Sequence, residues 1–313
     1  MNQNIMRKPG RDYTVELWRF IFCIVVLGFH FCAKINFKFL GAGYLAVEFF
    51  FILSGYGIYS YYSRYMEKEK FAGRWYRFGC YIGNRIAALY PMYLLSLILM
   101  FCFMSYSRRW GIGQMVSYMK MGWAEFLLLQ CGSLAKRILI VPHWYVAALF
   151  WGSLLVLLLL MVCGKTAGYI FCPFLSIFIY AYYYRMIGKI DITYSHHAVL
   201  RAAAGLMLGV FIGFVLRFVR KWIYRWPEKW RKVLYVCGNG LMAGILVYMM
   251  FGRRGAGDFA VICVFTLALL AVFASEILLS TKKKALFQRL SSWTYPIYLF
   301  QMPVLECIFY FIS

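Results

Sequence analysis

The chain has 313 residues, 64% of them hydrophobic and 21% aromatic, with a formal net charge of +23. That much apolar side chain exceeds what one soluble core buries, since a soluble domain is about 45–50% apolar. It falls in blocks of roughly 20 residues, the length that crosses about 30 Å of hydrocarbon as a helix. The Lys and Arg residues gather between these blocks, as in cytoplasmic loops of membrane proteins. The charge therefore points to anionic lipid head groups rather than to nucleic acid. The ten Cys contain no C-x-x-C pair, which argues against a zinc site or a disulfide framework.

The pattern predicts an all-α fold, a polytopic transmembrane bundle of about 9–10 membrane helices that forms a single integral-membrane domain over residues 1–313. The opening MNQNIMRKPGRDYTVELWRF is polar and basic for too long to be a cleavable signal peptide. Predicted spans follow at 15–33, 43–63, 86–105, 143–163, 168–184, 199–216, 233–251, 259–279 and 293–312. The stretch 123–141 is weaker, because it carries Glu125, Lys136 and Arg137; it reads as a tenth or a re-entrant helix. Basic loops are expected at 64–85, 217–232 and 280–290. With the N-terminus cytoplasmic, nine crossings put all three of them inside. Loop 106–142, with five basic residues, would then lie outside, against the rule.

The first span holds Arg19 and His30, eleven residues apart. At 100° per residue that is about 20° past three turns, so both lie on one helix face, about 16 Å apart along the axis. A snorkelling interfacial arginine is the plain alternative for Arg19. Ionisable groups within lipid usually face a cavity or a partner. In the second span Glu48 is expected at the depth of His30, where a carboxylate would fix the imidazole's tautomer and stabilise the imidazolium. Such a pair suits His30 as the general base for an alcohol attacking an acyl carbonyl. A Glu48 paired with an Arg or Lys for packing is the other reading. Arg85, opening the third span, should lie near Arg19, and two guanidiniums make a phosphate site. His143, Trp144 and Tyr145 are expected in an outer aromatic belt. The last span carries Tyr295, Tyr298 and Gln301 and is expected to be broken by Pro296 and Pro303.

Together these stretches resemble acyltransferase family 3, the integral-membrane enzymes that O-acetylate bacterial surface glycans. The resemblance rests on Arg19 with His30, on AVEFFFILSGY over Ala46–Tyr56, on RIAALYPMY with Arg85, Leu89, Pro91 and Tyr93, and on Tyr295 to Leu299. Ala88 stands where the family motif has a second arginine, and Gln301 where it has a terminal histidine. The resemblance implies a membrane-bound O-acyltransferase, with acetyl-CoA or another acyl-CoA as cytoplasmic co-substrate and no bound cofactor. The acceptor would be a hydroxyl of a surface polysaccharide or lipid-linked glycan. Arg19 and Arg85 would bind the donor, His30 and Glu48 would be catalytic, and Trp144, Tyr145, Tyr295 and Tyr298 would bind the acceptor. The contrasting expectation is a transporter or flippase with Arg19, His30 and Glu48 as an ion path, although no internal repeat supports it.

Overall fold

A computed structural model describes residues 13–132, 134, 137–193, 195–277 and 281–312. It is 85% helical and, among the described residues, has no strand. In chain order the helices are α1 (Tyr13–Lys34), α2 (Ala46–Tyr65), α3 (Phe71–Ser107), α4 (Ile112–Phe126), α5 (Trp144–Thr166), α6 (Cys172–Tyr182), α7 (Ser195–Ile223), α8 (Glu228–Phe251), α9 (Gly257–Ser275), α10 (Thr281–Ser292) and α11 (Thr294–Ile312). Residues 1–12 and Lys136, on which part of the sequence reading rests, lie outside the described residues.

Among the described residues, seven helical segments are long and apolar enough to cross a membrane. One of them, Val141–Ile187, holds two passes, because the chain turns at Gly164 (φ 58, ψ −134), a conformation only glycine adopts at no steric cost. Contacts along α7 fix the direction of each arm. Trp144 sits by Arg201 and Gly152 by Ala203 and Leu206, so α5 runs parallel to α7. Ser176 donates to the Ala204 carbonyl and Tyr183 to that of His197, so α6 runs the other way. Turns of π-helix at Ala167–Phe171 and Tyr183–Ile187 lengthen that second arm. Helix α2 falls short of the hydropathy of a lipid-facing span because its lower half carries Ser54, Tyr56, Tyr59, Ser60, Tyr61 and Tyr62. Its partners are protein rather than lipid, so its surface need not be apolar.

α2 lies parallel to α7, and Gly55 and Gly209 let the two backbones touch. Phe22, Phe49 and Phe265 join α1, α2 and α9 at ring-centroid distances of 4.8–5.7 Å. Outward-facing Ile98, Leu99, Phe174, Ile177, Phe178, Val247 and Phe311 are exposed, as a surface solvated by lipid requires.

Three expectations are corrected. The region 123–141 is not a tenth helix: α4 ends at Phe126. Instead α4 folds back along α3, with Tyr118 against Phe101, and brings the Glu125 and Phe126 carbonyls to the hydroxyls of Tyr93 and Tyr90. The buried Glu125 carboxylate accepts from the Leu139 and Ile140 amides and so ties the end of α4 to the approach to α5. Much of the predicted loop 106–142 is thus α4, and its run back along α3 fits the re-entrant alternative rather than a tenth crossing. The basic loop 64–85 is mostly the first turns of α3. The last span is not broken either: α11 is continuous through Pro303, and Pro296 occupies its first turn, where no intrahelical N–H bond is lost.

Candidate functional site

α1 is one unbroken helix, so Arg19 and His30 share a face. Near the Tyr13 end of the bundle, Arg19 Nη1 bonds Glu16 Oε2 at 2.9 Å, and Glu16 accepts from Ser291 on α10. On α3, Arg85 Nε donates to the Tyr81 hydroxyl at 2.8 Å, its guanidinium 5.0 Å from that ring's centroid. Both arginines lie within electrostatic range of the Tyr145 side chain.

The expected His30–Glu48 pair does not form. Because α1 and α2 are antiparallel and Phe22 meets Phe49, the level of Glu48 on α1 is about two turns from His30. Glu48 is fully buried and both its oxygens are taken: Oε1 by Arg201 Nε at 2.6 Å, Oε2 by the Tyr180 hydroxyl at 2.7 Å. Arg201 is itself fully buried, donates from Nη1 to the Ile192 carbonyl, and stacks 5.2 Å from the Trp144 ring. Two charges removed from lipid and solvent need each other and their hydrogen bonds, so Glu48 serves first as the counter-ion of α7. Sequence reading missed Arg201, although the signal was present: a single arginine in the run AVLRAAAGLMLGV, where an ionisable group within a span calls for a partner.

The aromatic residues expected to stack on a sugar are inside the protein. Trp144, Tyr145 and Tyr298 are buried. Tyr145 packs 5.0 Å from Phe51 and 5.1 Å from Tyr298. The Tyr298 hydroxyl donates to the Pro142 carbonyl and that of Tyr295 to the Leu89 carbonyl. They close the interior rather than form an open belt, because the re-entrant segment starts α5 within the bundle. His143 is buried with them: its ring stacks 4.8 Å from Tyr93, and its Nε2 lies 3.4 Å from both Ser96 Oγ and the Leu299 carbonyl. Gln130 ties this group together, donating to the Tyr93 hydroxyl and the His143 carbonyl. Gln301, also buried, has no hydrogen-bond partner among the described residues. At the Tyr13 end, Arg217 grips Glu67 with two nitrogens at 2.7 and 2.5 Å and donates to Tyr59 and Ser63, and this guanidinium holds the Glu67 carboxyl below the usual carboxylate range.

A bundle of apolar helices with charged groups confined to its ends and its interior is that of a multi-pass membrane protein. A family model described as an acyltransferase domain matches residues 12–313, so the chain belongs to acyltransferase family 3 and is a membrane acyltransferase. That decides against the transport alternative. Among curated proteins and among solved structures nothing matches.

Proposed function

We propose that the protein moves an acetyl group from cytoplasmic acetyl-CoA to a hydroxyl of a cell-surface polysaccharide or lipid-linked glycan, in a bacterial plasma membrane. The observation that carries this reading is the polar face of α1. Arg19 stands at one end, with Arg85 of α3 in electrostatic range of the same Tyr145 side chain, and His30 lies about 16 Å further along the same helix. Guanidiniums suit the donor's phosphates, which they bind through paired N–H groups. The basic connections α2–α3 and α7–α8 open at the same end as Arg19, which the positive-inside rule assigns to the cytoplasm. At the other end His30 takes the proton of the acceptor hydroxyl as its oxygen attacks the thioester carbonyl. The C–S bond breaks, and coenzyme A leaves as its thiol.

Mass spectrometry of surface glycans from cells with and without the protein tests the reaction. Loss of one acetyl ester per modified residue on deletion is expected, and unchanged glycans overturn the reading. His30→Ala, checked for normal membrane insertion, should lower transfer by about 10²–10⁴-fold. Arg19→Lys keeps the charge but loses the planar fork, and should raise the apparent KM for acetyl-CoA.

A further inference from the structure

We infer that Tyr44, Asp191, Arg254 and Asp258 form an acceptor subsite beside His30, shaped for a neutral, hydroxyl-rich ring rather than for an acidic sugar or a phosphate. The inference rests on the O-acyltransferase reading above. The four residues come from three separate connections at the Lys34 end: the turn Gly43–Leu45 ahead of α2, the α6–α7 turn, and the α8–α9 turn with the start of α9. Arg254 Nη2 pairs with Asp191 Oδ2 at 2.7 Å, and its guanidinium lies 5.4 Å from the Tyr44 ring centroid. The Tyr44 hydroxyl donates to Asp258 Oδ2 at 2.5 Å, and the Gly255 amide adds a longer bond to the same oxygen. The Tyr44 ring packs 6.1 Å from that of Phe29, which lies 5.2 Å from the His30 ring. Asp191 is in electrostatic range of His30, and Asp258 of Asp191. Through Phe29 the group therefore packs against the turn of α1 that carries His30.

Two features give the group a ligand class. Asp258 is 0% exposed, yet its Oδ1 has no hydrogen-bond partner among the described residues. A buried acceptor left unpaired is costly, and a ligand hydroxyl that enters by parting the Arg254–Asp191 pair would be the donor that satisfies it. Arg254, by contrast, has a side chain 54% exposed, so the group reaches the surface, while the Asp191 side chain at 14% stands between. In charge, Arg201 is also in range of both carboxylates but is balanced by Glu48, so Asp191 and Asp258 share Arg254, which is already paired with Asp191. Carboxylates only accept hydrogen bonds, so the subsite favours hydroxyl donors and repels anions. The interior aromatic residues offer no such open surface.

Acetyl transfer from radiolabelled acetyl-CoA to surface polysaccharide extracted from the host, by protein purified into lipid nanodiscs, provides the test. Arg254→Gln, which removes the exposed cation that holds Asp191 in the subsite, and Asp258→Asn, which alters its buried acceptor, are each expected to raise the apparent KM for the polysaccharide by about tenfold or more, with the KM for acetyl-CoA unchanged. Arg254 is exposed, so its variant reads binding even where the buried Asp258→Asn fails to fold. An unchanged acceptor KM in Arg254→Gln, with the wild type active, overturns the subsite alone. A wild type that transfers nothing overturns the O-acyltransferase reading and the subsite with it. Polysaccharide whose carboxyl groups have been chemically reduced should be accepted as well as the native material, and its rejection overturns the neutral-sugar assignment.

Discussion

At the scale of single residues, the buried Glu48–Arg201 pair governs how variants of Glu48 must be interpreted. Both side chains are fully excluded from solvent. Removing one partner leaves an uncompensated buried charge, which costs about 3–5 kcal/mol, whereas replacing the pair by apolar residues of similar volume is often neutral. Glu48→Gln should therefore lower the thermal stability and yield of purified protein. The double variant Glu48→Leu with Arg201→Met should recover much of both. If the chemistry needs the Glu48 carboxylate directly, the double variant will be stable and inactive. If Glu48 acts only as a counter-ion, it will be stable and active, and activity measured on equal amounts of folded protein separates the two. His30, in contrast, was legible from α1 alone, since a helix period of 3.6 places it on the face of Arg19 without reference to any other part of the chain.

At the scale of elements, the crossing of α2 and α7 brings two backbones into contact. A Cβ added at Gly209 would lie 1.8 Å from the Ile52 carbonyl oxygen, and one at Gly55 would lie 1.9 Å from that of Leu206. Small residues at such crossings let backbones approach where lipid offers no hydrophobic drive for helix association. Gly209→Ala must push two backbones apart, so it should reach or exceed the usual overpacking penalty of about 1–3 kcal/mol. Gly57→Ala, whose Cβ would meet nothing within 4 Å, should leave the melting temperature unchanged. Equal losses in both variants would show that the crossing tolerates separation. At the Tyr13 end of the same helix pair, Arg217 clamps the turn after α2 through Glu67, whose pKa it lowers. A carboxyl depressed in the folded state adds stability above its unfolded pKa, about 4.3, and that stability disappears as pH falls through the folded value. Thermal stability of the wild type should therefore drop more steeply below about pH 4.3 than that of Glu67→Gln. Parallel slopes would remove the clamp from the account.

At the scale of the whole molecule, the passes alternate from α1 to α11, so the turn after α1 opens at the end opposite to the basic α2–α3 and α7–α8 connections. A membrane-impermeant thiol reagent applied to intact cells, with native cysteines replaced, should label Asn36→Cys. It should not label Lys68→Cys or Arg225→Cys. The reverse pattern would place the arginine end outside, away from any cytoplasmic donor. Sequence alone determined the position and order of the apolar passes, because lipid demands long apolar helices and leaves their composition in plain view, but it left open a tenth, which the end of α4 at Phe126 removes. It also determined the shared face of Arg19 and His30, a property of one helix. Only the tertiary structure decided which groups meet across helices. Glu48 and Arg201 are 153 residues apart, and the choice of Arg201 over His30 as partner depends on the relative heights of three helices, which no local period encodes. The burial of Trp144, Tyr145 and Tyr298 likewise depends on contacts between distant segments, among them the bonds from the Leu139 and Ile140 amides to Glu125 at the end of α4. Tyr44, Asp191, Arg254 and Asp258 lie on connections that look like ordinary polar turns in sequence, and they become one group only because alternate passes return their turns to the same end of the bundle.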